Sequence, residues 1–312
     1  MAATLAPCVA TAQPQRSLQH RIGWISTETE PDPFVDGFRE GLRQHGYVEG
    51  QNLILELRYA RDLDILRKSA IELTQSRVAF IVSSGPAVRA IRDLQNTPVL
   101  FAISGDPVEL GLAASLARPG GNFTGLTFLS LEVAGKRVGL LKQAVPQIRT
   151  LAVLSNTDHP GEGAERRATQ EAAQALGLAV SYIPFRGAAQ LDGGLSAVRD
   201  ARADAMVVFP EGATMVARAK IAHFAAAQRL PSMFGWSEYA DAGGLMSYGA
   251  NQRDAYVRLA TYADRLLRGA KAADLPIEQP TQFELVVNMR TAARLGISLP
   301  PATLLLANRR IE

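Results

Sequence analysis

The sequence predicts an α/β protein of two Rossmann-like lobes, each a parallel sheet covered by helices. Three observations predict it. Short apolar runs alternate with helical periodicity at the spacing of βαβ units. The series runs from Arg21 to Ile103, and a second series starts at Thr150. The length of 312 residues suffices for two domains, and an apolar share of 47% with 20% charged residues excludes a disordered or fibrous chain.

In the first series, Arg21–Ser26 is a strand and Asp32-Pro33 starts a helix whose Phe34, Phe38 and Leu42 share one face. His45-Gly46-Tyr47 stops that helix. Leu53–Tyr59 alternates apolar and polar residues as a strand, and Leu63–Ser76 is a helix. Val78–Ser83 is a buried strand, and Ser84-Gly85-Pro86 starts a helix running to Leu94. Val99–Ile103 is the next strand. Asp106-Pro107-Val108-Glu109 reads as a helix start, with Leu110, Ala113, Ala114 and Ala117 on its apolar side and Pro119-Gly120-Gly121-Asn122 ending it. Thr124–Phe128 reads as an extended crossover between lobes.

The second series opens with a helix at Leu131–Ala144. Strands follow at Thr150–Ser155, Ala179–Pro184, Ala205–Phe209 and Ser232–Phe234, with helices at Glu165–Leu176, Leu195–Ala203 and Met215–Arg229 between them. Gly244–Tyr248 is a further strand. Asn251 caps a helix to Arg268 whose Ala255, Leu259, Tyr262 and Leu266 face one side. Lys271–Pro280 is a linker, Phe283–Asn288 a strand, and Met289–Leu295 a helix stopped by Gly296. Pro300-Pro301 opens the final segment.

Several function classes lose support. A net charge of +3 without a dense basic run argues against a nucleic-acid surface. No Gly-x-Gly-x-x-Gly follows the first strand, and no Walker loop or Gly-x-Ser-x-Gly elbow occurs. One cysteine and four scattered histidines form no metal-ligand spacing, so neither cofactor nor metal is expected. Binding is favoured over catalysis, although carboxylates brought together by folding would escape this reasoning. Met1–Ser17 resembles the end of a secretory signal, with Ala10-Thr11-Ala12 as a small-residue cleavage site, or else is a disordered tail. Cys8 stands in only a loose likeness of a lipid-attachment box.

In open parallel sheets, ligands sit beyond the carboxyl ends of the strands. That rule selects Ser26, Thr27, Ser84, Gly85, Pro86, Ser104 and Asp106 in the first lobe, and Asn156, Glu211 and Trp236 in the second; Tyr248 lies near a crossover. The helix start at Pro86 would suit a carboxylate, with Gly85 leaving room or simply making a turn. Ser84 can cap that helix and hold a ligand. Asp106 fits a helix cap better than a ligand contact. Glu211 fits an amine or a solvated loop, and Asn156 a polar ligand edge or a turn. Trp236 and Tyr248 can stack on an apolar ligand, or Trp236 can pack in the core.

Gly37-Phe38-Arg39-Glu40-Gly41-Leu42, Gly46-Tyr47-Val48-Glu49-Gly50-Gln51-Asn52, Ile81-Val82-Ser83-Ser84-Gly85-Pro86-Ala87, Asp106-Pro107-Val108, Arg118-Pro119-Gly120-Gly121-Asn122-Phe123-Thr124-Gly125, and Phe283-Glu284-Leu285-Val286-Val287-Asn288 with Ala293-Arg294-Leu295-Gly296-Ile297 occur in that order. As a set they resemble the ABC-transporter substrate-binding proteins of the tryptophan/tyrosine-binding type. The resemblance implies a type I periplasmic-binding fold with three crossovers forming a hinge. One lobe would span 20–126 plus 246–272, and the other 127–245 plus 273–312, with 1–19 a tail or the remnant of an export signal. It further implies a periplasmic monomer that captures an amino acid or aromatic carboxylate by closing its cleft, and delivers it to an ABC permease. A two-domain α/β enzyme acting on a small carboxylate, or the ligand-sensing core of a regulatory system, is the alternative; 19 residues before the first strand are too few for a helix-turn-helix.

Overall fold

The computed structural model describes residues 19–128 and 131–312. The readings made on Met1–Ser17, the cleavage site and Cys8 lie outside the described residues. Five strands form the first sheet, in the order β2-β1-β3-β4-β5: β1 His20–Ser26, β2 Leu53–Tyr59, β3 Phe80–Ser84, β4 Val99–Ile103 and β5 Phe123–Thr127. Every pairing in it is parallel. Its inner strands β3 and β4 are buried on both faces, as helices on either side of a parallel sheet require, while the edge strand β2 alternates.

Seven strands form the second sheet: β6 Thr150–Asn156, β7 Ala179–Phe185, β8 Ala205–Val208, β9 Ser232–Phe234, β10 Met246–Gly249, β11 Glu284–Asn288 and β12 Arg309–Ile311. Their order is β12-β11-β10-β9-β8-β6-β7, and β10–β11 is antiparallel, so this sheet is mixed. Sequence periodicity misses β12, whose Arg309-Arg310 is exposed at the sheet edge.

The chain passes between sheets three times, and the breaks differ from the expected ones. Residues 246–249 were expected in the first lobe, yet β10 pairs with β9 and β11 in the second sheet. The chain returns with the helix Gln252–Leu267, which packs on the helix Pro33–Gln44. Gly41 permits that contact: a Cβ there would meet the Val257 carbonyl and the Ala260 methyl at 2.5 and 2.6 Å. The segment after 272, expected in the second lobe, still belongs to the first. Ile277 donates its N–H to the Leu116 carbonyl, and Glu278 bridges to Leu126. Only then does the chain cross to β11.

Three expected helices differ. Asp106 does accept N–H bonds from Val108 and Glu109, at 2.8 and 3.4 Å, but no helix follows. Gly111 takes φ +72°, and the N–H groups of Leu112 and Ala113 turn back to the Pro107 carbonyl. The helix expected from Ser84 to Leu94 is a 3-10 turn, Gly85–Ala87, followed by one α turn, Val88–Ile91. The Met215–Arg229 helix is divided at Ala217 into Gly212–Val216 and Arg218–Ala227.

One apolar cluster lines the outer face of the first sheet and another that of the second. A third runs through both lobes, from Ile22, Trp24 and Phe38 to Leu154, Phe234 and Trp236. The lobes thus share a core at the base of the cleft.

Candidate functional site

The carboxyl ends of β1, β3 and β4 face those of β6, β8 and β9 across a cleft with two distinct parts. The inner end is aromatic. Phe34 stacks on Tyr256 with centroids 5.1 Å apart, and Trp236 stands edge-on to Phe34 and Phe128, at 6.1 Å from each. Ser84, Gly85, Pro86, Ser104, His159 and Glu211 complete its wall. The rings fill it so well that only about 20 Å³ remains, roughly the room one water needs. The outer chamber holds about 320 Å³, within the range of small-molecule sites. Its wall joins Thr27, Glu28, Arg61, Leu63, Pro86 and Arg89 of the first lobe to Asn156, Asp158, Gly187, Leu191, Glu211, Val216 and Lys220 of the second.

The strand tips also touch directly. A Cβ on Gly161 would overlap the Ser104 carbonyl oxygen, and one on Gly212 would overlap the Glu28 carboxylate. A Cβ on Gly105 would lie 2.8 Å from the Pro160 ring. The loops after β1 and β4 are therefore closed onto those after β8 and β6 along a glycine seam.

The candidates from the strand-tip rule fall into three groups. Thr27, Ser84, Gly85, Pro86, Ser104, Asn156, Glu211 and Trp236 come together in the cleft wall. Ser26 is buried beneath it, its hydroxyl accepting the Glu28 N–H at 3.1 Å. Asp106 and Tyr248 lie outside the wall. Tyr248 packs in the second lobe's outer cluster beside Phe283, with Lys136 Nζ 4.8 Å from its ring centre. Its position on β10 sends it there, because alternate residues of a strand face opposite sides. Ser84 makes no cap; its hydroxyl hydrogen-bonds the Tyr256 hydroxyl at 2.7 Å. The residues that strand-tip reasoning missed come from loops and helix faces: Glu28, Arg61, Arg89, Asp158, His159, Lys220 and the aromatics Phe34, Phe128 and Tyr256. Glu28, Arg61 and Asp158 had a signal, each two residues past the end of a strand, β1, β2 and β6.

Most polar groups in the wall are already engaged. Glu211 caps the helix Gly212–Val216, accepting from the Ala213 and Thr214 N–H groups at 2.9 and 2.7 Å. Asn156 Nδ2 donates to it at 3.2 Å, while Asn156 Oδ1 accepts from the Asp158 and Gly187 N–H groups, both at 3.1 Å. Burial raises the Glu211 pKa against those hydrogen bonds. Burial, with the Glu211 and Asp32 carboxylates adding to it, pushes Glu28 up to about 8 against the pull of Arg61. Glu28 is thus mostly protonated at neutral pH.

Behind the inner wall, His159, Glu165 and Arg137 form a buried cluster in the second lobe. His159 Nδ1 accepts the Gly161 N–H at 2.7 Å, so the ring proton sits on Nε2, 3.7 Å from Glu165 Oε2. Arg137 donates to the Tyr248 carbonyl at 2.8 Å and lies 3.8 Å from Glu165. Burial lowers His159 to about 4; it raises Glu165 to about 7, opposed by Arg137. Among the described residues no group of side chains is arranged to hold a metal ion.

The sequence of residues 28–311 matches the family model of the ABC transporter substrate binding proteins. The chain belongs to that family. It is 21% identical over 285 residues to a tyrosine-binding protein of Clostridioides difficile, covering 89% of this chain and 81% of that one. Its fold superposes on an ABC domain in complex with L-Trp from Streptococcus pneumoniae with a TM-score of 0.85, at 22% identity, covering 94% of this chain and 100% of that one. Against a ligand-free, open substrate-binding protein with adhesive properties from Clostridium difficile the TM-score is 0.65, at 21% identity and with 94% and 100% coverage. The two-lobed architecture is that of type I periplasmic-binding proteins, and the family binds small-molecule substrates for ABC transporters. No helix among the described residues is long and apolar enough to cross a membrane.

Proposed function

We propose that this chain is the solute-capturing component of an ABC importer, working outside the cytoplasmic membrane, in the periplasm. It holds an amino acid or aromatic carboxylate between its lobes and presents it to the permease without altering it. It works as a monomer and without nucleic acid. Thr27, Pro86, Asn156 and Glu211 face the solute in the outer chamber, and Ser84, Gly85, Ser104 and Trp236 wall the inner end behind it. The observation that carries this reading is the cleft itself: strand tips of both lobes converge on one chamber of about 320 Å³ whose wall mixes apolar residues with charged and polar groups.

Capture by hinge closure follows from the glycine seam. The seam contacts bring backbone to within contact of the opposite lobe, and only three short segments of chain join the lobes. Gly161→Ala tests this. Its methyl group clashes with the Ser104 carbonyl only when the lobes are shut. The variant is expected to bind about tenfold or more weakly, the cost of a conformer displaced by about 1.4 kcal/mol. Small-angle scattering with a ligand found by a thermal-shift screen of amino acids and organic acids should show compaction of the wild type and less of the variant. Equal affinity and equal compaction would reject closure.

A further inference from the structure

We infer that the solute of this cleft is an organic anion with a compact apolar body, its carboxylate seated in the outer chamber against Arg89. The inference rests on the solute-binding reading above and narrows it. The acids of the wall are all occupied. Glu211 is bound by two N–H groups and Asn156, and Asp158 lies 3.5 Å from Arg186. Glu28 is folded against Gly212 in a site that favours its neutral form.

The cations are not so matched. Lys220 pairs with Asp192 on the rim. Arg61 and Arg89 make no hydrogen bond or ion pair with any described residue, though both line the chamber. Arg61 is exposed, but Arg89 is half-buried. A partly desolvated guanidinium without an acceptor is costly, and a planar carboxylate meets its donors two at a time. Leu63, Leu191 and Val216 furnish the apolar wall beside it. An ammonium group on the solute would instead meet a protonated Glu28 and a saturated Glu211. The amine is therefore dispensable and the carboxylate is not.

The test compares matched acids and amines on the full chain at pH 7. A thermal-shift and calorimetry series takes indole-3-propionate, phenylpropionate and hexanoate against tryptamine, phenethylamine and hexylamine, with L-tryptophan and L-tyrosine carrying both groups. Binding is expected among the acids and at least about tenfold weaker for each matched amine, since the amine loses the charge-assisted hydrogen bonds to the guanidinium. Arg89→Gln should weaken the best acid by about tenfold or more, Arg89→Lys should recover part of that, and the ligand-free melting temperature of Arg89→Gln should not fall. Amines binding as tightly as their acids, or Arg89→Gln leaving acid affinity intact, would overturn the inference and leave solute binding standing. Silence from the whole series, both amino acids included, would overturn both.

Discussion

The two ends of the cleft solve opposite problems. The inner end is filled by the protein's own rings, Phe34, Phe128, Trp236 and Tyr256, and continues the core that joins the lobes. The outer chamber is empty space with charge on its walls. Aromatic residues near a binding cleft are readily taken for ligand contacts, yet here a ring and a neighbouring ring satisfy each other. On the proposed reading, the difference teaches that the inner end sets the stability of the lobe contact, while the outer end sets what is held. Substitutions in the two places should separate on those two readouts.

The largest effect is expected at Trp236, which is 5% exposed and reaches from the second lobe to two rings of the first, Phe34 and Phe128. Trp236→Ala should cost about 3–5 kcal/mol in urea unfolding, as other large buried aromatics do. Ligand affinity measured below the unfolding transition should change by a smaller factor. A large affinity loss with intact stability would reverse the roles assigned to the two ends.

Glu28 sharpens the comparison through pH. Its pKa is raised from an ordinary 4.5 to about 8, so its contribution to stability is full below 4.5 and is lost as pH rises through 8. Glu165, raised to about 7, acts in the same direction. His159, lowered from 6.5 to about 4, contributes above 6.5 and its contribution is lost as pH falls through 4. Glu28→Gln removes only the first of these. Relative to wild type, its melting temperature should climb steadily between pH 5 and pH 8.5 and differ least at pH 5. A constant offset across that range would mean that Glu28 does not titrate there.

The smallest effect is expected at Tyr256. Tyr256→Phe keeps the ring stack on Phe34 and removes the hydroxyl bonded to Ser84. The cost should be about 1 kcal/mol in unfolding free energy, with affinity within about twofold. A larger affinity loss would extend the ligand contacts into the inner end.

The architecture was legible because the strands are apolar runs such as Val99–Ile103, and because caps such as Asp32 and Asn251 do bond the N–H groups that they should. Asp106 shows the limit of that logic. Its cap bonds form, but capping chemistry serves a turn as well as a helix, and Gly111 takes the chain away. The strand-tip rule found Asn156 and Glu211 because they stand at or just past strand ends. It passed over Arg61, two residues beyond β2, and could not find Arg89, whose place depends on how a short helical turn falls across the opening. Phe34 and Tyr256 were hidden differently: each lies on a helix face that reads as ordinary core, and is core, yet also forms the floor of the opening.

The glycine seam has a bearing on how such a protein can diversify. Its contacts are made where methyl groups are missing, against the Ser104 carbonyl, the Glu28 carboxylate and the Pro160 ring. On the proposed reading, a lineage could exchange the residues that choose its cargo, one by one, while most of the closing contacts stay as they were.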